Sequence, residues 1–142
     1  MLLTDIILFI HSLIPSSDIA LLATRLVAGG VMVYYGKDKV RHPFTNAKNF
    51  TEMGFKPGWL FGTLVLITEF FGGAAVIIGV YADVAAILIG FHMIIGTVWK
   101  IKMGQEFGDF SYDILVAALA LIILSLGTGM YALGGGSYTV FR

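Results

Sequence analysis

The chain has 142 residues, of which 58% are hydrophobic and 13% charged, with a mean hydropathy of +0.90 and a formal net charge of zero. That balance lies outside the range of soluble globular domains. With the apolar excess gathered into four separated runs, it points to a single membrane domain over residues 1–142 whose main partner is the lipid bilayer. There is no basic tract to meet nucleic acid, and a sequence without cysteine excludes disulfides, thiol catalysis and thiolate metal sites.

Met1–Ile14 lacks a positive leading region and a small-residue cleavage pattern, so it does not read as a secretory leader. At about 14 residues it is too short to span. Thr4, Asp5, His11 and Ser12 fall on one side of a helical wheel, which predicts an interfacial helix lying along the membrane surface. Pro15-Ser16-Ser17-Asp18 follows as a turn with good N-cap residues. The first span is predicted over residues 19–35, with Arg25 two turns in, a flat Gly29-Gly30 patch and Tyr34-Tyr35 at the far interface.

Residues 36–58 are polar by comparison. Lys37, Asp38, Lys39 and Arg41 come first, and Phe44, Ala47, Phe50 and Met53 then recur every third residue. That recurrence predicts a short amphipathic surface helix ended by Gly54. The second span is predicted over 59–80. It carries one carboxylate, Glu69, near its middle, where an ionisable group costs roughly 2.5–3.5 kcal/mol on insertion scales. Gly72-Gly73 follows within a turn and implies tight packing around it. The third span, 84–99, holds His92 and is closed by Lys100 and Lys102; Met103–Ser111 reads as a loop with Gln105 and Glu106 in solvent. The fourth, 112–133, has Asp113 at its start and runs at least to Leu126, and Gly134-Gly135-Gly136 begins a flexible tail. The fold class is therefore an all-α integral membrane four-helix bundle with an interfacial helix before it and an amphipathic helix between spans one and two.

Four spans place Lys37, Lys39, Arg41, Lys48, Lys56, Lys100 and Lys102 on one face, against Arg142 alone on the other. The positive-inside rule makes the lysine-rich face cytoplasmic and both termini external, in a bacterial-type inner membrane. At a rise of ~1.5 Å per residue, Arg25 lies roughly 10 Å, His92 roughly 13 Å and Glu69 roughly 18 Å from the outer surface. A guanidinium can hold a carboxylate through two parallel hydrogen bonds, so Arg25 is expected to pair with Glu69, with His92 in reach and Asp113 nearer the cytoplasmic end beside Trp99 and Lys100. This pairing is either an internal tie that sets helix register, the lining of a polar pocket for a ligand headgroup such as a quinone, or part of a proton path. No second membrane histidine exists for bis-histidine haem, and no Gly-rich loop joins a strand to a helix for nucleotide binding. Glu69, His92 and Asp113 have no metal-ligand spacing.

Arg25-Leu26 and Gly29, Gly36 and Lys39, Phe50, Met53-Gly54, Glu69-Phe70-x-Gly72-Gly73, Gly79, Tyr112-Asp113 and Gly127-x-Gly129-x-Tyr131-x-Leu133 follow one another in a familiar order. From about Ala20 to Leu133 the chain resembles the DoxX family of small four-helix membrane proteins, which includes the DoxD-type subunit of thiosulfate:quinone oxidoreductase. Where the closing signature often has a proline between its glycines, Thr128 stands here, and Gly134 replaces the usual acidic residue. The resemblance suggests a quinone-dependent oxidoreductase subunit, and the depth of the charges then makes Arg25, Glu69 and His92 the expected reacting groups and these three with Asp113 the expected quinone-binding residues. The alternative is a non-enzymatic accessory or scaffold subunit that docks other membrane subunits or a second copy through its glycine patches and surface helices. A small-solute or proton carrier ranks last, because no inverted repeat is evident.

Overall fold

The computed structural model describes residues 2–13 and 17–134. Six helices appear in chain order: α1 (Leu2–Leu13), α2 (Ser17–Arg41), α3 (Pro43–Glu52), α4 (Gly58–Ile78), α5 (Ala82–Lys102) and α6 (Phe107–Leu126). Four of them, α2, α4, α5 and α6, are long and apolar enough to cross a bilayer. The chain is a multi-pass, all-α membrane protein. The expected turn at Pro15-Ser16, the tail at Gly135-Gly136, Arg142 and the His11 side chain lie outside the described residues.

Three boundaries depart from the sequence reading, each for a local reason. The first span does not stop near Tyr35. Its inward face continues at helical spacing through Arg25, Ala28, Gly29, Met32 and Gly36, all buried, and carries the helix to Arg41 after the apolar run has ended. The fourth span starts five residues early, because Glu106, exposed as expected, is the cap of a helix and not part of a loop. It caps α6 in a reciprocal box with Asp109, whose carboxylate accepts the Glu106 amide at 3.0 Å. The same helix stops at Leu126, where Gly127 turns into the left-handed region at φ 81°.

Spans α2 and α4 cross in backbone contact. A Cβ on Gly29 would stand 2.5 Å from the Gly73 carbonyl oxygen, and one on Gly36 would stand 2.7 Å from the Phe70 nitrogen. Glycines a heptad apart on α2 thus set this crossing, as small residues do where lipid supplies no hydrophobic drive. Gly30 faces open space and takes no part. The buried core joins α2, α4, α5 and α6 through Met32, Val76, Ile89, Met93, Val116 and Ile123.

The first half of α4 behaves differently from the second. Gly58 and Gly62 press it onto α3, and the Asn46 amide donates to the Gly62 carbonyl at 2.8 Å. Its second half packs instead on α2 and α5. Between the halves the helix widens into one π turn, Ile67–Gly72, which contains Glu69. Such turns interrupt α-helices mostly at functional positions.

Candidate functional site

Two groups of buried charge occupy opposite ends of the bundle, and the expected Arg25–Glu69 pair is not formed. Arg25, 1% exposed, instead donates from Nε to the Val76 carbonyl (2.9 Å), from Nη2 to that of Ile77 (2.7 Å) and from Nη1 to that of Thr128 (3.0 Å). The last carbonyls of a helix have no partners of their own, and a bilayer offers no water to replace them. Arg25 therefore caps α4 from a neighbouring helix, where a cation also suits the negative end of the helix dipole. The segment after α6 completes the cap: Leu133 donates to the Ile78 carbonyl (3.1 Å), Gly134 to that of Gly79 (3.2 Å), and the Met130 amide to the Asp18 carboxylate (2.9 Å). The glycine-rich closing signature is a strap across this end.

Glu69 points toward the lysine-rich end. It is 4% exposed and paired with Lys39, its other oxygen lying 3.8 Å from His92 Nε2. That second distance is too long for a hydrogen bond. His92 Nδ1 is buried and has no hydrogen-bond partner among the described residues. Lys100 donates to Asp113 at 2.8 Å, and Asp113 is 2% exposed. Tyr112 stacks on Tyr35 with ring centroids 5.1 Å apart, and the Lys100 ammonium sits 4.7 Å over the Tyr112 ring.

These groups, Tyr35 apart, border one cavity of about 690 Å³ between α2, α3, α4, α5 and the start of α6. Its polar end is made by Lys39, Glu69, His92, Lys100 and Asp113; the rest of the wall is largely aliphatic and aromatic. Of the four expected site residues, the structure brings together Glu69, His92 and Asp113 and leaves Arg25 elsewhere. Sequence reasoning missed Lys39, which it left in a loop. Seven residues separate Lys39 from the buried Met32 on one helix face, and that spacing was the available signal. Asn46 and the π turn carried no comparable sign. Among the described residues no group of three His, Asp or Glu side chains is placed to hold a metal ion.

The DoxX family model matches residues 20–101, more than half of the chain, including Arg25, Lys39, Glu69 and His92. The chain belongs to the DoxX family. Comparison with curated proteins and with solved structures finds no match. In this DoxX protein the matched stretch contains both charged clusters except Asp113, which lies just beyond it on α6. The match thus covers α2, α3, α4 and nearly all of α5, together with Arg25 and the end of α4 that it caps, but neither α6 nor the strap that follows it.

Proposed function

We propose that this DoxX protein is a quinone-linked redox subunit of the thiosulfate:quinone oxidoreductase type, which takes the quinone headgroup at the polar end of the cavity. The observation that supports this best is an apolar cavity ending on a buried carboxylate and an imidazole with one unpartnered nitrogen. Few convergent polar groups at the end of an apolar cleft are what a small ring with two hydrogen-bonding oxygens requires. A bound quinone supplies an acceptor for two electrons and two protons. The protein's share is to hold the ring and handle protons: Glu69 Oε1 and His92 Nε2 lie side by side, 3.8 Å apart, at the polar end, while Lys39 fixes the carboxylate. Asp113 with Lys100 forms a second buried pair behind them.

Arg25 does not receive an anionic sulfur substrate in this reading, because its guanidinium is committed to three carbonyls. Lys39 and Lys100 are likewise paired. Electrons then come from a partner subunit. The lysine-rich end faces the cytoplasm of a bacterial-type inner membrane, with α1 on the external side.

The test combines two measurements: thiosulfate-dependent quinone reduction by the gently solubilised complex, and the melting temperature of the purified chain with decylubiquinone. Turnover and a rise in melting temperature that Glu69→Gln and His92→Leu diminish are expected. The absence of both turnover and a rise in melting temperature would remove the reading. An accessory role is favoured by a different observation: α1 exposes Leu2, Leu3, Leu8 and Phe9 and, among the described residues, has no extensive packing on the other helices. Co-purification of another membrane subunit that is lost on deleting residues 2–13, without any quinone effect, would support it.

A further inference from the structure

The cavity's two ends differ in how they are closed. Toward the lysine-rich surface, aromatic rings form a plug: Phe55 contacts Phe50 at 5.8 Å, Phe61 at 5.6 Å and Trp99 at 6.2 Å between centroids. A shallow hollow lies on the far side of this plug, and Asn49, Met53 and Trp99 border both spaces, so they are the wall between them. The side toward the bilayer is not closed. The first half of α4 is held against α3 and lacks the packing on α5 that its second half has. Leu64 of α4 and Leu88, Phe91 and Ile95 of α5 border the cavity yet remain exposed, Phe91 by 65% and Leu64 by 52%. These side chains belong to apolar spans, so what they meet in a membrane is hydrocarbon.

The polar end limits the headgroup. Lys39 is paired with Glu69 and Lys100 with Asp113, so the two cations and two carboxylates cancel. A phosphate would have to break a buried ion pair to be held there, whereas an uncharged ring or hydroxyl needs only the imidazole and the carboxylate edge. From this geometry we propose that the cavity is filled sideways from the bilayer, through the gap between the first half of α4 and α5, by a lipid with one apolar chain and an uncharged hydrogen-bonding head. The head stops at Glu69 and His92, and the chain stays in the gap against Leu64, Leu88 and Phe91. The inference rests on the quinone reading only for the identity of the head.

Trp99 borders the cavity and Trp59 is the other tryptophan, so Trp59→Phe leaves Trp99 as a single reporter. The cysteine-free sequence lets Leu88→Cys be modified alone. In nanodiscs, Trp99 emission is titrated with decylubiquinone, the same ring without its chain, a dibrominated monoacylglycerol and a dibrominated phosphatidylglycerol. Saturable quenching by decylubiquinone and the monoacylglycerol is expected. At equal total concentration the chainless ring should be at least about tenfold weaker, because only a chain concentrates the head at the gap. Both saturable signals should vanish when Leu88→Cys carries cyclohexylmaleimide, and the same adduct on Leu121→Cys, which is exposed and does not border the cavity, should leave them in place. Equal binding of the chainless ring, or quenching that survives the block, would overturn the sideways route while leaving quinone binding intact. Saturation by the phosphatidylglycerol would overturn the uncharged head. A saturable, blockable monoacylglycerol signal without any quinone signal would keep the route and remove the quinone. Silence from every probe overturns both.

Discussion

Replacing Lys39 by methionine removes the cation beside Glu69 and keeps most of the apolar stem. Glu69 then remains buried with His92 at 3.8 Å as its nearest basic group. Removing one partner of a buried ion pair costs roughly 3–5 kcal/mol, because the other charge stays unpaired in a low dielectric. The Lys39 side chain is 26% exposed, so some of the pair is already screened, and the lower limit of about 3 kcal/mol applies. Glu69→Gln alone leaves a lysine that can reach the interface and should cost about 1 kcal/mol or less. The double variant has no stranded charge, so the cycle should show a coupling of about 2 kcal/mol. Reversible unfolding in mixed micelles, titrated with sodium dodecyl sulfate, gives all four values. The same cycle between Arg25→Met and Glu69→Gln is the control. Arg25 contacts residues 76–77, about 10 Å along α4 from Glu69, and these two changes should add within about 0.5 kcal/mol. Additivity at Lys39 together with coupling at Arg25 would refute the assignment of partners.

Arg25→Met should be the most destabilising single change considered, by roughly 3–5 kcal/mol, since hydrogen bonds from a charged donor to three carbonyls are lost at once; the same micelle titration reads it. Gly73→Ala sets a methyl 2.8 Å from the Gly29 carbonyl oxygen and 2.9 Å from Met32 Cβ, and overpacking there should cost about 1–3 kcal/mol with no change in quinone affinity relative to folded protein. Gly30→Ala, which meets open space, is the matched control and should be neutral within about 0.5 kcal/mol. Glu106→Ala removes half of the α6 capping box and should lower stability by ~1 kcal/mol, with hydrogen exchange faster in residues 107–110 and unchanged in α5.

The four crossings were legible because bilayer thickness demands apolar runs of about 20 residues and the chain supplies four. Glu69 stood out for the same reason, as a carboxylate where none should be cheap. Its partner was not legible. Depth from the surface made Arg25 a candidate, but depth says nothing of the rotation of one helix against another, and Arg25 was claimed by the unsatisfied carbonyls at the end of α4. Lys39 was lost because an apolar criterion ends α2 near Tyr35, while its 3–4 spacing runs on to Arg41. The π turn at Ile67–Gly72 left no mark in composition. The cavity itself exists because two glycines draw the first half of α4 toward α3 and away from α5. Gly58 and Gly62 were visible as small residues, but what they would approach was not.

The central claim is that a lipid-soluble head binds at the Glu69–His92 end of the cavity. Photolabelling the membrane-embedded chain with an azidoquinone, then mapping adducts by mass spectrometry, tests it most directly. Adducts within residues 61–69 and 88–99 that excess decylubiquinone suppresses are predicted. Suppressible adducts at the Arg25 end, in residues 18–25 or 127–134, would contradict the account.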